Sequence, residues 1–229
     1  MISESPTVAP AEPGAARLAS VTRRAGAAAP VAGPLLPPTA ALGDATRRFY
    51  ETALRLFGER GFHAVSVREV TSALGLQASS LYAHAPSKQQ LLADLIRIGH
   101  EEHRDRLRLS LLEVGSDPRD QIAALTRAHV LVHATYPLLT RVCNRELGAV
   151  PDDQRERILA IRLESERLFL DVIERGMRLG AFTTGDPMLG VAAIGAMGMR
   201  VAEWWSPDLE MSVDHLADTY AEFAVKLLS

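Results

Sequence analysis

Beyond residue 43 the apolar positions return at helical spacing through almost the whole chain. Phe49, Ala53, Leu56 and Phe57 make one stripe over residues 44 to 60, closed near Gly61, with Asp44 standing where an N-cap is expected. Val67, Val70, Thr71 and Leu74 make a second, shorter stripe. It is announced by Ser66 and Glu69, whose spacing allows a capping box: the hydroxyl takes an orphan N–H of the first turn while the carboxylate reaches back. Gly75 then offers a position free of Cβ strain, and Leu76 is expected to re-enter the core. In the next segment, Gln77 to His84, the pattern turns only Leu81 inward and leaves Gln77, Ala78, Ser80, Tyr82, Ala83 and His84 mostly outward.

Ser87 with Gln90 predicts a second capping box and a long helix from Lys88 to about Glu113. Asp117-Pro118, Pro151-Asp152 and Asp186-Pro187 start further helices, to about Ala134, Arg178 and Trp204-Trp205, with Pro137 and Gly148 bounding a short one between the first two. A last helix spans roughly Ser212 to Leu228. No stretch sustains the alternation of a strand, so the chain is expected to be all-α with about nine helices, three of them in a small N-terminal unit over 43–90 and the rest in a larger body over 91–229.

Composition alters this picture at the N-terminus. Residues 1–42 hold seven of the thirteen prolines and no aromatic residue, which predicts a disordered Ala/Pro-rich arm. Its Arg17, Arg23 and Arg24 can brush phosphates, although a solvated tail is the simpler role. The total charge of −3 conceals an asymmetry: residues 44–97 carry seven Lys/Arg against five Asp/Glu, and residues 98–229 carry fifteen against twenty-one. That sign suits a nucleic-acid-reading unit on a more acidic body. A single cysteine, Cys143, excludes an intrachain disulfide. With no apolar run of membrane length and no signal-like segment, a cytoplasmic location is expected, with no membrane partner.

Two short helices joined by a Gly turn, the second presenting small and hydrogen-bonding groups, form what a recognition helix needs to enter a major groove about 12 Å wide. Arg47 and Arg48 in the first turns of the first helix either reach phosphates or serve as exposed solubilising groups, and Lys88 beside the free N–H groups of its helix makes a phosphate clamp. The motifs around this unit resemble the TetR family of transcriptional regulators. Ala53-Leu54-Arg55-Leu56-Phe57 followed by Gly61-Phe62 matches that family's first helix, and Leu81-Tyr82-Ala83-His84-Ala85-Pro86-Ser87-Lys88 matches its signature, across roughly residues 44–97. The resemblance implies a helix-turn-helix in which Ser66 and Tyr82 bind phosphates, Lys88 anchors the following helix, and Gln77, Ser80 and Ala83 face bases. Gln77-Ala78-Ser79-Ser80 stands where the family often has Ser-Lys-Gly-Thr, and Ala85 where it has Phe. The DNA-contacting set expected on this basis is Arg47, Ser66, Gln77, Ala78, Ser79, Ser80, Tyr82, Ala83, His84 and Lys88.

The C-terminal part is loosely similar to the TetR subgroup that includes sensors of acyl-CoA thioesters, through Arg141, Asn144, Arg145, Glu146 and Leu147, Gly176, Gly180-Ala181-Phe182 and the Trp pair. The family resemblance implies a homodimer on a palindromic operator, released by a small-molecule effector held between the helices of residues 88 to 180, and a dimer interface on the last two helices, with Gly195, Met199, Trp204 and Trp205 as candidates. Candidate effector contacts are His129, His133, Arg141, Arg145 and Glu146. His100 and His103 lack the i,i+4 spacing of a helical metal motif; His129 and His133 have it, but no cysteine or carboxylate cluster accompanies them, so they are read as pocket residues and no metal is expected. Without a nucleophile elbow, a Gly-rich phosphate loop or a catalytic acid pair, neither enzymatic activity nor a cofactor is expected; a metal-dependent enzyme and a helical module that binds no DNA are the alternatives.

Overall fold

The computed structural model describes residues 33–229, which lack any strand. Among them the helices are α1 (Asp44–Arg60), α2 (Val67–Ala73), a 3₁₀ segment (Ala78–Ala83), α3 (Lys88–Leu112), α4 (Pro118–Thr135), α5 (Pro137–Arg145), a 3₁₀ turn (Leu147–Ala149), α6 (Asp152–Arg178), α7 (Pro187–Trp204) and α8 (Val213–Leu228). The all-α architecture is therefore as the periodicity predicts.

Local chemistry explains most boundaries. Asp117, Asp186 and Ser212 each accept a backbone N–H of the first turn of α4, α7 and α8, and proline occupies the first turn of α4, α5 and α7, where its missing donor costs nothing. Ser87 caps α3 by accepting from Gln90 N, but the Gln90 side chain turns away to Asp94 instead of closing the box. Asp44 lies in the first turn of α1, with Gly43 at the cap position and no side-chain cap bond.

The body is built around α4, which packs on α3, α6, α7 and α8. Its Ile122 and Leu125 meet Leu107, Phe169, Ile173, Ile194 and Leu228 in one cluster, and its Val130 meets Val201, Leu216 and Ala217 in another. A third cluster runs from the N-terminal unit straight into the body: Phe49, Leu54, Phe57, Phe62, Val70 and Leu81 share it with Leu91, Leu95, Leu138 and Leu139. The two units are thus joined by a common apolar core across α3 and α5, and a displacement of either helix is felt by the other unit.

Two expectations are corrected. The arm expected over 1–42 lies outside the described residues for 1–32, including its three arginines, but residues 33–42 are packed. Leu36 is 2% exposed and Leu35 8%. Arg47 donates to the carbonyls of Pro37 at 3.1 Å and Ala40 at 2.9 Å, and Thr39 donates to Glu102 at 2.6 Å. Pro34, Pro37 and Pro38 restrict the unfolded chain here, so two leucines together with these hydrogen bonds hold the strap. Leu76, expected in the core, is 41% exposed, because α2 ends at Ala73 and Gly75, at φ 68°, turns the chain outward.

Candidate DNA-reading head and effector cavity

Ser66 and Glu69 close both halves of the capping box: Glu69 N donates to Ser66 Oγ at 3.2 Å, and Ser66 N donates to Glu69 Oε2 at 2.7 Å. The Ser66 backbone N–H, then its hydroxyl and the Arg60 guanidinium, hold the Glu69 carboxyl down at about 2. After α2, Leu76 N donates to Thr71 O at 2.8 Å around the left-handed Gly75, a conformation that a Cβ would strain. The segment that follows is a six-residue 3₁₀ helix where a short α-helix was expected. It closes on Ala85 N donating to Leu81 O at 2.8 Å, and Pro86, which disfavours helical backbone at Ala85, ends it there.

Leu81, 3% exposed, is the inward anchor of this segment, and Gln77, Ala78, Ser79, Tyr82 and Ala83 are exposed around it, with Ser80 half-buried. Tyr82 is 73% exposed and so does not pack on α1. His84 takes a different place. Its ring stacks on Phe49 with centroids 4.7 Å apart, and its Nδ1 lies 3.1 Å from Thr46 Oγ1, so it is a joint between the segment and α1.

The basic residues are also partly diverted. Arg47 is spent on the strap carbonyls, while Arg48 remains exposed. Lys88 Nζ donates to Phe62 O at 2.6 Å and sits 4.0 Å from the Phe62 ring centroid, and burial lowers its pKa. Its ammonium secures the α1–α2 connection. Ser66 keeps its place on the exposed edge of α2, its hydroxyl engaged with Glu69.

Within the body, a cavity of about 310 Å³ opens among α3, α4, α5, α6 and α7. His129 and His133 line it, together with His100 and His103 from α3 and Arg162 and Glu166 from α6; Phe169 and Val191 supply apolar wall. Desolvation lowers the pKa of His100 and His129 to about 4 and of His133 to about 3. Cys143 also borders the cavity, its thiol pushed up to about 12 by burial. The other candidate effector contacts lie elsewhere: Arg145 pairs with Glu203 at 2.8 Å, Glu146 Oε1 accepts from Phe62 N at 3.2 Å, and Arg141 is half-buried with its Nε unpartnered. Sequence reasoning missed His100 and His103 as partners of His129 because it tested spacing within one helix, and these four imidazoles meet only when α3 packs on α4.

The residues named for the dimer interface divide similarly. Gly195 and Met199 line the cavity, and Gly195 O lies 3.1 Å from His129 Nε2. Trp204 and Trp205 pack beside Val201 and Leu216, with Trp205 Nε1 donating to Met211 O at 3.2 Å. The exposed large apolar side chains of the last two helices are Met188 (51%), Leu189 (69%), Phe223 (49%) and Leu227 (50%).

Head and cavity walls are tied by hydrogen bonds as well as by apolar contact. Tyr50 donates to Asp94 at 2.9 Å, Gln90 donates to the other oxygen of Asp94 at 3.1 Å, and Gln154 of α6 donates to Gln90 at 2.6 Å. Among the described residues no helix is long and apolar enough to cross a membrane.

Known proteins are similar to both parts of the chain. The family model described as "Bacterial regulatory proteins, tetR family" matches residues 49–95, and "Tetracyclin repressor-like, C-terminal domain" matches residues 115–228. The HTH-type transcriptional repressor KstR2 of Rhodococcus jostii is 25% identical over 192 residues, covering 81% of this chain and 94% of that protein. The structure of the ketosteroid transcriptional regulator KstR2 of Mycobacterium tuberculosis superposes with a TM-score of 0.77 at 18% identity, covering 86% of this chain and 99% of that one. AibR, in complex with isovaleryl coenzyme A and operator DNA, gives a TM-score of 0.69 at 21% identity, over 80% and 97%. With one family model on the reading head and the other on the helical body, the chain belongs to the TetR family of bacterial regulatory proteins.

Proposed function

We propose that the chain is a ligand-responsive transcriptional repressor that binds a palindromic operator as a homodimer and is released by a small-molecule effector. The observation that carries this reading is the 3₁₀ segment, whose side chains from Gln77 to Ala83 are presented outward on the single buried anchor Leu81. Such an element has no packing role to explain it, and its face of an amide, hydroxyls and methyls suits base edges and phosphates. Residues 43–90 serve as the DNA-binding unit and 91–229 as the effector-binding and dimerisation body. Leu189 of α7 with Phe223 and Leu227 of α8 form the apolar surface on which two copies pair. The protein works by differential binding and carries out no catalysis.

The effector enters the His-lined cavity. Its volume of about 310 Å³ suits an acyl chain rather than a whole coenzyme A, so a thioester ligand would leave its nucleotide outside. KstR2, a repressor by name, supports repression, and AibR, bound to isovaleryl coenzyme A, supports the acyl-CoA class as the first to screen. Release requires the effector to prefer the off-DNA conformer, with a coupling of typically about 1–3 kcal/mol. The test is dissociation of a selected operator complex by a series of acyl-CoA thioesters of increasing chain length. A maximum at one chain length supports the reading; equal indifference to every thioester and free acid overturns the effector assignment.

A further inference from the structure

The geometry points to a transition-metal site in this cavity, formed by His103 of α3 and His129 and His133 of α4, that takes a borderline ion of the Zn²⁺ class. One ring nitrogen from each of the three lies within 4.8 Å of the others. His103 Nε2 and His129 Nδ1 are 2.8 Å apart, close to the separation of about 3.3 Å that two nitrogens take around a tetrahedral ion with Zn–N of about 2.0–2.1 Å. A spread of about half an ångström therefore converts the hydrogen-bonded pair into two ligands.

The remaining nitrogens of His129 and His133 are held as those of metal-ligating histidines usually are, by outer partners that fix the tautomer. His129 Nε2 faces Gly195 O at 3.1 Å, which leaves Nδ1 with its lone pair toward His103. His133 Nδ1 faces His129 O at 2.9 Å, which leaves Nε2 free to ligate. Gly198 admits this arrangement: a Cβ there would overlap the His129 ring, so α7 can approach the imidazole this closely only at a glycine.

The donor set decides the class of ion. Three imidazoles with no carboxylate among them disfavour Mg²⁺, Ca²⁺ and Mn²⁺ and favour Zn²⁺, Co²⁺ or Ni²⁺, since the nearby Glu166 is engaged by Arg162 at 3.0 Å. Three protein ligands leave a fourth position toward the cavity, for water or an oxygen of a bound ligand. His100 lines the same cavity at 9% exposure, and its Nε2 has no partner, an orphan that points to a polar occupant there. The sequence's i,i+4 pair lacked a third ligand; folding supplies it from α3. This inference stands on the cluster alone and does not depend on the repressor reading.

The test uses the full chain without any affinity tag, stripped by a chelator and titrated with Zn²⁺ against a chromophoric competitor, and with Co²⁺ by visible absorption. The expected result is one ion per chain, intense ligand-field bands of a four- or five-coordinate Co²⁺, and a loss of affinity of about 100-fold or more in His103→Gln and in His133→Gln. X-ray absorption of the wild-type Zn²⁺ complex gives a readout that needs no variant: scattering from three imidazoles is expected. Binding equal in wild type and folded variants, a weak octahedral Co²⁺ spectrum, or an oxygen-only zinc shell would each overturn the assignment.

Discussion

The Phe62 N–H donates to Glu146 Oε1 at 3.2 Å, so a residue between the first two helices of the reading head is held by the turn that follows α5. The carbonyl of the same Phe62 is taken by Lys88 at the start of α3. One residue at the head–body junction is thus gripped from both sides, by a carboxylate on the body and an ammonium on the helix that joins the two units. Any effector that shifts α5 or α3 has a direct hold on the head.

From this clamp we expect Glu146→Ala to leave operator affinity without effector nearly unchanged and to weaken effector-driven release, by about 0.5–2 kcal/mol of coupling. Fluorescence anisotropy of labelled operator, with and without effector, measures both quantities. Lys88→Ala should instead lower stability by about 1 kcal/mol and reduce binding to every sequence alike, because the charged donor to Phe62 O is lost. An unchanged melting temperature together with a reduced salt slope would return Lys88 to the phosphate role that its position in sequence suggests.

Base reading and phosphate contact are expected to separate at Gln77 and Tyr82. Gln77→Ala should relax preference at one position of each half-site, at a cost of about 1–3 kcal/mol, since it removes an exposed amide with the donor and acceptor that bidentate pairing with adenine requires. Tyr82→Phe removes one exposed hydroxyl and should weaken all operators uniformly. Competition assays across single-base operator variants distinguish the two patterns, and identical profiles would contradict the assignment.

Much of this was legible in the sequence because it is local. The Ser66–Glu69 box, the Pro and Asp starts of α4 and α7, and the lone inward Leu81 are decided by neighbours within four residues. What the sequence did not disclose depends on distant partners. Arg47 and Lys88 look like free cations until the strap carbonyls and Phe62 arrive, and Leu35-Leu36 look too few to order a Pro-rich stretch until Arg47 and Glu102 bind its polar groups. His103 is in the same position: its link to His129 crosses 26 residues and two helices. Gly195 and Met199, named from the sequence as dimer-interface candidates, line the cavity.

The strap itself is open to test. Arg47→Ala strips a donor from Pro37 O and Ala40 O, and should free residues 33–42 for limited proteolysis while lowering the melting temperature by a few degrees, equivalent to about 1 kcal/mol. Unaltered cleavage would mean that Leu35 and Leu36 hold the strap alone.

The pairing surface should respond to charge. Phe223→Glu with Leu227→Glu places two carboxylates on the exposed apolar strip of α8, without touching the buried Ala224 and Leu228. Light scattering should then report a monomer in place of a dimer, and operator affinity should fall by the loss of two-site binding. A variant that stays dimeric moves the interface elsewhere.

Acid should loosen the reading head at the Ser66 box. Glu69 titrates near 2 in the folded chain, below the ordinary glutamate value of about 4.3. Its contribution is therefore complete above about 4.3 and lost as pH falls through about 2. The protection factors of the first-turn amides of α2, corrected for intrinsic exchange at each pH, should fall across that window in wild type, and Glu69→Gln should show the lower protection already at neutral pH. A flat profile in wild type would contradict the role given to the carboxylate.

The account stands or falls on DNA reading by the segment from Gln77 to Ala83. Selection of bound duplexes from a random pool, run in parallel on the wild type and on Gln77→Ala/Tyr82→Ala, tests it directly. We expect the wild type to enrich an inverted repeat whose half-sites lie about one helical turn, roughly 34–36 Å, apart or a multiple of it, and the double variant to lose that enrichment while keeping its fold. Enrichment of the same repeat by both proteins, or of no sequence by the wild type, would contradict it.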